Sequence, residues 1–454
     1  MIEIVNCHSP LNLEPLDFIK VIKGMNDAGY KSVIWQSKVA MLASSGIDEL
    51  NEDILKWISY YRLDNKDSFV YRADLFVEGN EIIYILNTGS GFYSSDKRIE
   101  IGIITEKLDN AKNKLGQYVR AFSTALKSNL DGRRVRHMNQ KWYKDNENTK
   151  IQSKVSFEGS FAFSSLQEEE INSSLQISDS KKRNVLLKIA KSGRLKAKDI
   201  KGEDKELQFG VINGLIEARL VSKGYTVTCR KNSTSLAVIQ TLNEFETKSS
   251  EQLICVNCGR SFSDELLDET FALTALGRKL TSGSHWMTLL MTKELVAHGI
   301  PEASIIWSLS DEGEEVDCVV EFKGKVWIFE LKDRNFEAGD AHPFIYRALK
   351  YNADKIIVFT SEKVSKEAKR VFEKVIYGGR TNFKPGHPLY IEGLDSLQSS
   401  ISKLVKNETL MYVSEKSKEI SKLASMDLSI IFTKAFGKYF PVYKGEFMEG
   451  YNIF

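Results

Sequence analysis

The chain is short of histidine and cysteine, has almost no net charge and lacks any long apolar run, and each shortage closes off a class of function. Six histidines in 454 residues, with no evident Cys–His partner, give little support to nucleophilic catalysis by an activated thiol or hydroxyl. Five cysteines, at positions 7, 229, 255, 258 and 318, are too few and too scattered for a disulfide framework, so a reducing, cytoplasmic setting is expected. No stretch approaches the roughly 18–20 apolar residues that cross a bilayer. The opening MIEIVNCHSP has neither the basic start nor the apolar core of a secretory signal, so no membrane partner is expected. The phosphate-loop pattern G-x-x-x-x-G-K-[ST], the G-x-S-x-G elbow and the H-E-x-x-H zinc motif are all missing. With 63 Lys+Arg against 61 Asp+Glu the formal charge is +2, so any nucleic-acid surface has to be local.

What is present reads as a soluble, multidomain α/β chain. Apolar residues make up 42% and charged residues 27%, enough to bury several cores without staples. Residues 1–160 read as an α+β domain of unknown role. Helical spacing runs through Asp17–Met25, Ser37–Ser44 and Ile54–Tyr61. Then FVYRADLFV, the turn EGNE, IIYIL, a loop and IEIGII change the period to that of strands. Leu108, Leu115, Phe122 and Leu126 stripe a helix near 106–129. Gly89-Ser90-Gly91 lacks the Lys-Ser/Thr ending of a phosphate loop and reads as a hairpin connection. The run DGRRVRHMNQKWYK (131–144) mixes Arg133, Arg134, Arg136 and Lys141 with Trp142 and Tyr143. It reads either as a backbone-tracking, base-stacking surface or as a solvated loop with tucked-in aromatics.

Residues 161–180, rich in Ser, Glu and Gln, read as a linker or an exposed helix start, and ETKSSEQ (246–252) marks a second boundary. Between them, 181–245 follow a helix, short helix, helix, hairpin order: Val185, Leu186 and Ile189 stripe the first helix, Lys196–Ile200 form the short second one, and Leu207, Val211, Leu215 and Leu220 stripe the third. SKGYTVTCRKNSTSLAVIQ then reads as two strands around a polar turn. This succession resembles the winged helix-turn-helix family, whose third helix commonly enters a DNA groove. Nine Lys/Arg and one Asp lie between Lys181 and Lys201, a local excess suited to phosphates. The third helix is flanked by acids, however, so a purely structural role also fits.

Cys255-Val-Asn-Cys258-Gly has the spacing of a zinc knuckle, but a second C-x-x-C some 15–20 residues away is absent. Cys229, His285 or a second subunit would have to complete a Zn2+ site. Without them the pair is a reduced, metal-free remnant of a zinc ribbon.

The strongest signal is GEEVDCVVEFKGKVWIFELK (313–332). Two β-rich runs flank Lys323-Gly324-Lys325, so the segment is a hairpin. A two-residue loop, Lys323-Gly324 or Gly324-Lys325, sets Asp317 opposite Glu330 or opposite Lys332. Either register puts Asp317, Glu330 and Lys332 on one face, whereas a three-residue loop without a bulge would break the parity. Two carboxylates and an ammonium on mostly buried strands are costly unless they pair or hold a metal.

The surrounding order is a helix over Gly283–Gly299, a strand ASIIWSLS, the hairpin, a helix over Ala341–Asn352 and a buried strand KIIVFT. With Asp317, Glu330 and Lys332, residues 270–400 resemble the PD-(D/E)xK nuclease superfamily. The resemblance implies a restriction-endonuclease-like core: a mixed central sheet flanked by helices. It implies Asp317 and Glu330 as ligands of Mg2+ or Mn2+, the Leu331 carbonyl as a third ligand, and Lys332 as the lysine of the motif. Val316 stands where the family usually has proline. Glu294, on the apolar stripe of the preceding helix, is the candidate for the family's extra helical acid. Tyr346, Arg347 and Lys350 are weaker candidates for phosphate contact, with a solvated helix face as the alternative; Asp333 and His285 read as structural. The domain expectation is therefore 181–245 winged helix-like, 250–400 nuclease-like with a leading CxxC segment, and 401–454 a helical tail that docks on the nuclease or on another subunit. The expected function is metal-dependent endonuclease cleavage of DNA, with defence against foreign DNA as a setting. The rivals are an RNA-directed nuclease and a DNA-binding regulator with a silent nuclease-like domain. A second copy or a protein partner would be met by the N-terminal domain or the tail.

Overall fold

The computed structural model describes residues 2–439 apart from 12, 64–65, 70, 89–97, 131–140, 145–159, 201–204, 252–253, 312 and 378–387. The chain forms two compact units, Met1–Glu147 with Lys403–Phe454, and Asn148–Ser402. Both mix helices and sheets. No helix among the described residues is long and apolar enough to cross a membrane.

The first unit is built on an antiparallel sheet. Its strands are β1 (Glu3–Ser9), β4 (Ala73–Glu78), β5 (Glu81–Thr88), β6 (Arg98–Thr105) and β7 (Tyr143–Lys144), in the order β4-β5-β6-β1-β7. A further pair, β2 (Tyr60–Leu63) and β3 (Lys66–Phe69), is separate. The EGNE turn joins β4 to β5 with Glu78 opposite Glu81, and Gly79 takes the left-handed φ of +61° that such a turn needs. Ile82, Ile83, Tyr84, Ile85 and Leu86 are all buried, so both faces of β5 are covered, which explains a continuous rather than alternating apolar run. Helices α1 (Pro15–Asp27), α2 (Val33–Ser44), α3 (Glu52–Ser59) and α4 (Leu108–Asn129) supply the cover. Leu115, Phe122 and Leu126 of the expected stripe point into this core. The tail belongs here too. Val413, Ile420, Leu423, Leu428, Phe432 and Phe436 join the same core as Ile4 and Ile101, so this part of the tail packs on the first unit.

The second unit holds two sheets. In the smaller, β9 (Leu195–Lys196), β10 (Val221–Thr228), β11 (Ser235–Ile239) and β12 (Leu266–Leu273) lie in the order β11-β10-β12-β9. Helix α6 (Ser180–Ser192), capped by the Asp179 carboxylate, and α7 (Lys205–Glu217) accompany it. Two expectations change. The short second helix is a two-residue strand followed by a single 3-10 turn, Ala197–Asp199. The module also does not end at 245. Residues 246–250 continue helix α8 (Leu242–Ser250), and β12 returns to pair with β10 along its whole length, from Val221 opposite Leu273 to Thr228 opposite Leu266.

The larger sheet has the order β17-β16-β15-β14-β13-β8, with β8 (Ser160–Phe163), β13 (Ile305–Asp311), β14 (Glu314–Phe322), β15 (Lys325–Lys332), β16 (Lys355–Thr360) and β17 (Leu389–Glu392). The three strands β13 to β15 run antiparallel, whereas β15-β16 and β16-β17 are parallel. Helices α11 (Ala338–Lys350) and α12 (Lys366–Tyr377) follow β15 and β16, packing Phe344, Ile345, Ala348 and Phe372 onto Val319, Ile328 and Val358. The expected linker, 161–180, is not one. Its start is the edge strand β8, and its remainder is helix α5 (Glu168–Ser178), which lies along α10 (His285–Ala297). Ser173 and Ser174 are buried, and Ser173 donates to the Ala218 carbonyl at 3.1 Å. Small hydroxyl residues made this interface look like solvent-facing sequence. Helix α9 (Ala275–Thr281) precedes α10, and α13 (Leu397–Ala424) and α14 (Ser429–Phe436) form the tail.

Candidate active site

The site starts from the Lys323-Gly324 turn. Both residues are left-handed, with φ of +51° and +72°, which is the two-residue turn whose twist matches a hairpin. Pairing runs from Phe322 opposite Lys325 to Cys318 opposite Phe329. One step further along this register Asp317 meets Glu330, the first of the two registers that the loop allows. Asp317 then leaves the ladder. Its Oδ2 accepts the Leu331 N–H at 2.7 Å, replacing a backbone acceptor with a carboxylate. Across β13 the residue in register with Asp317 is Ser308. The pairing skips both of them, and Ser308 holds a φ of +50°, a strained geometry for a residue with a Cβ. The interruption frees the Asp317 side chain from regular sheet packing.

Glu330 is 4% exposed and has both oxygens engaged. Oε1 lies 2.8 Å from Lys332 Nζ, and Oε2 accepts Arg347 Nη2 at 2.6 Å. Arg347 comes from α11 and also reaches Glu314 through Nη1 at 3.4 Å. Lys332 sends its own carbonyl to Ser361 N beside β16. Successive strand residues direct their backbone groups to opposite edges, so Leu331 directs its N–H and C=O toward Asp317.

Burial, followed by the Glu330 charge, pushes the Asp317 carboxyl up to about 7, against the downward pull of Lys332 and the Leu331 amide. Burial alone would lower Lys332, but the Glu330 and Asp317 charges outweigh it and hold the ammonium above its ordinary value. Burial and the neighbouring Glu330 charge therefore both oppose ionisation of Asp317. The donors are oxygens, the set that Mg2+ and Mn2+ accept, and an added cation would relieve the repulsion that raises Asp317. The residues fit a hard divalent ion.

Glu294 is half-buried on α10 and makes no hydrogen bond or ion pair with Asp317, Glu330 or Lys332 among the described residues; its carbonyl caps His298. Arg347 differs from the expected solvated or phosphate-facing residue: it is buried and pairs with Glu330. A basic residue on a helix 17 positions away carries no local mark of such a contact. Tyr346 is exposed, and Lys350 sits over the Tyr351 ring. Asp333 pairs with Arg183 Nε at 3.1 Å. His285 heads α10 with its ring edge-on to Trp307 at 5.2 Å, far in role from a ligand. Gly89-Ser90-Gly91 and Arg133, Arg134 and Arg136 lie outside the described residues. Trp142 stands edge-on to the core ring of Phe122, and Tyr143 stacks on His8.

No family model matches the chain, and no curated protein does. Among solved structures, the chain is similar to the crystal structure of protein VC1899 from Vibrio cholerae, at 12% identity and a TM-score of 0.35, over 59% of this chain and 63% of that one. It is also similar to the crystal structure of a protein of unknown function, AF1548, at 20% identity and a TM-score of 0.19, over 33% of this chain and 92% of that one.

Proposed function

We propose that the chain is a Mg2+- or Mn2+-dependent endonuclease of the PD-(D/E)xK kind, hydrolysing phosphodiester bonds of DNA in preference to RNA. Three features of the larger sheet support this. A helix (α10) precedes three antiparallel strands, a helix (α11) follows them, and β16 returns parallel to β15, the order of a restriction-endonuclease-like core. The observation that carries the reading is the Asp317 carboxylate bonded to the Leu331 amide and electrically coupled to Glu330 and Lys332.

Asp317, Glu330 and the Leu331 carbonyl would hold the ion, which when bound supplies polarisation of the phosphoryl oxygen and acidification of water. Lys332 stays protonated beside two acids and offsets the negative charge that develops on the phosphoryl group. Arg347 acts as a positioning residue, fixing the second oxygen of Glu330 from behind. The smaller sheet with α6 and α7 has a winged helix-like order, and exposed Lys181, Lys188 and Lys191 on α6 are available to phosphates. Three of the nine basic residues there are ion-paired, Lys196 and Lys198 with Asp268 and Arg183 with Asp333, and Lys182 bonds to Gln176. A separate first unit suits sensing or targeting, as defence against foreign DNA would require.

Plasmid, linear duplex and RNA incubated with Mg2+ or Mn2+ test this. Wild-type protein should cut the DNA, and Lys332→Ala and Glu330→Ala should each lose about 10²–10³-fold in rate. Cleavage that persists in both variants defeats the site, and salt-sensitive duplex binding without cleavage identifies a regulator with a silent domain. Cutting of RNA alone would redirect the substrate assignment.

A further inference from the structure

We propose that Cys229, Cys255, Cys258 and Glu265 form a structural zinc site of the Cys3Glu type, clasping the β10–β11 hairpin to the start of β12. Sequence spacing offered half a site. The fold brings a third thiol and a carboxylate to it. Cys229 follows the last residue of β10, in a turn where its N–H donates to the Thr234 carbonyl at 2.8 Å and its own carbonyl accepts Ser233 N–H at 2.8 Å. The backbone amides of Lys231 and Asn232 point at its sulfur. Cys255 opens the second turn. Its N–H donates to the Arg260 carbonyl and its carbonyl accepts Gly259 N–H, both at 2.7 Å. Gly259, at a φ of +74°, lets the chain curl so that Cys255 and Cys258 face one point. Glu265 comes from the residue before β12, with Oε1 2.9 Å from Cys258 Sγ and Oε2 accepting Arg230 N–H at 2.5 Å.

The four ligand atoms all lie within 4.8 Å of one another. Ligands around a tetrahedral zinc with Zn–S of about 2.3 Å and Zn–O of about 2.0–2.2 Å stand roughly 3.5–3.8 Å apart. Side-chain adjustments of about an ångström or less close the site. The second shell is already in place: amide N–H groups aim at the Cys229 sulfur, and the Arg230 amide orients the carboxylate, the arrangement that fixes metal ligands.

Two observations argue for a metal over a resting cluster of thiols. Cys229, Cys255 and Glu265 are 0%, 2% and 4% exposed, and Glu265 has no ion pair to a Lys or Arg side chain among the described residues. Its partners are the Arg230 amide, the Cys258 thiol and the more distant Arg260 charge, and a bound cation would neutralise this buried carboxylate directly. The segment also has little else to hold it. The local core is Val227, Ile239 and Phe262, while Ile254 and Val256 are 66% and 92% exposed. The knuckle itself is held by an isolated bridge, Ile254 with Ser261, and by a few backbone hydrogen bonds of the turn at Cys255. Small excursions of this kind are commonly stapled by metal. Three soft thiolates select Zn2+ over Mg2+ or Mn2+, which separates this site from the one at Asp317.

Full-length protein purified without chelator should carry about one zinc per chain by elemental analysis. The zinc should remain in Asp317→Ala and disappear in Cys255→Ser/Cys258→Ser. Because that double variant could fail to fold, the stripped wild-type protein is also refilled with Co2+. It should give the intense visible bands of tetrahedral Co2+ together with thiolate charge transfer. Glu265→Ala should weaken zinc, read by competition with a chelating dye, by about 10–100-fold. Wild-type protein that is metal-free and gives no such cobalt spectrum overturns the proposal. So does zinc retained by the double cysteine variant, or the loss of two free thiols to a native disulfide. Unchanged affinity in Glu265→Ala overturns the carboxylate ligand.

Discussion

Replacing Arg347 by methionine probes the charge arrangement behind the candidate active site. Arg347 Nη2 lies 2.6 Å from Glu330 Oε2, with the two side chains 10% and 5% exposed, so water screens the pair little. Removing one partner of a buried pair costs about 3–5 kcal/mol, because the other charge is left uncompensated. Two features here reduce that. Lys332 still holds Glu330 Oε1 at 2.8 Å, and Arg347 Nε is itself buried without a partner, so deleting it recovers a desolvation cost of about 1–3 kcal/mol. The expected loss is about 2–3 kcal/mol, read from amide exchange of β15, whose protection reports opening of this sheet. Combined with Glu330→Gln the cycle should show a coupling above about 1 kcal/mol. Mn2+ should shrink the deficit of Arg347→Met, since a cation at Asp317 and Glu330 takes over the neutralising role. A coupling near zero refutes the structural reading of the pair. A deficit that Mn2+ leaves unchanged refutes a metal bound through Glu330.

Two further tests address the first unit. Asp74 is fully buried and accepts hydrogen bonds from the Ser32 and Tyr71 hydroxyls and from the Ile34 and Leu75 amides. Burial nevertheless pushes its carboxyl from 3.8 to about 6. The folded state thus holds this proton more tightly than the unfolded chain does. The stability it contributes is complete below the ordinary carboxyl value and is lost as pH rises through about 6, a change of about 3 kcal/mol. The stability difference between wild type and Asp74→Asn, followed by amide exchange in β4 and β5, should fall by about 2–2.5 kcal/mol from pH ~4 to ~7; a flat difference refutes it. Gly102→Ala would drive a Cβ into the Tyr84 ring and force Tyr84 off its 2.9 Å bond to buried Glu100. About 3 kcal/mol should be lost, and less when Tyr84→Ala accompanies it. A neutral Gly102→Ala would show that the ring has room to move.

The hairpin was legible because its code is local. Val316 to Leu331 carry the strand period, and Gly324 supplies one left-handed position of the turn without steric cost. The choice between two registers turned only on whether Lys323 could take positive φ, and it does. The EGNE hairpin and the α4 stripe were readable for the same reason. Helix α5 was legible only as an exposed helix start, because serine is a surface residue by habit and becomes an interface residue only where a partner carbonyl, such as that of Ala218, answers its hydroxyl.

The electrostatics of the sites were illegible for a different reason. A charged residue carries the same letter whether water or another charge neutralises it. Arg347 read as part of a wet helix face, yet α11 lays it against Glu330. No spacing in the sequence singled out Glu265, yet β12 returning to β10 brings it level with Cys229. In both cases the deciding contact joins two separate elements, α11 to β15 and the start of β12 to the end of β10. Such contacts are set by the order of strands rather than by any window of residues. An acid or base on an otherwise buried element is therefore best read as a demand for a distant partner, and the topology then says which residue can meet it.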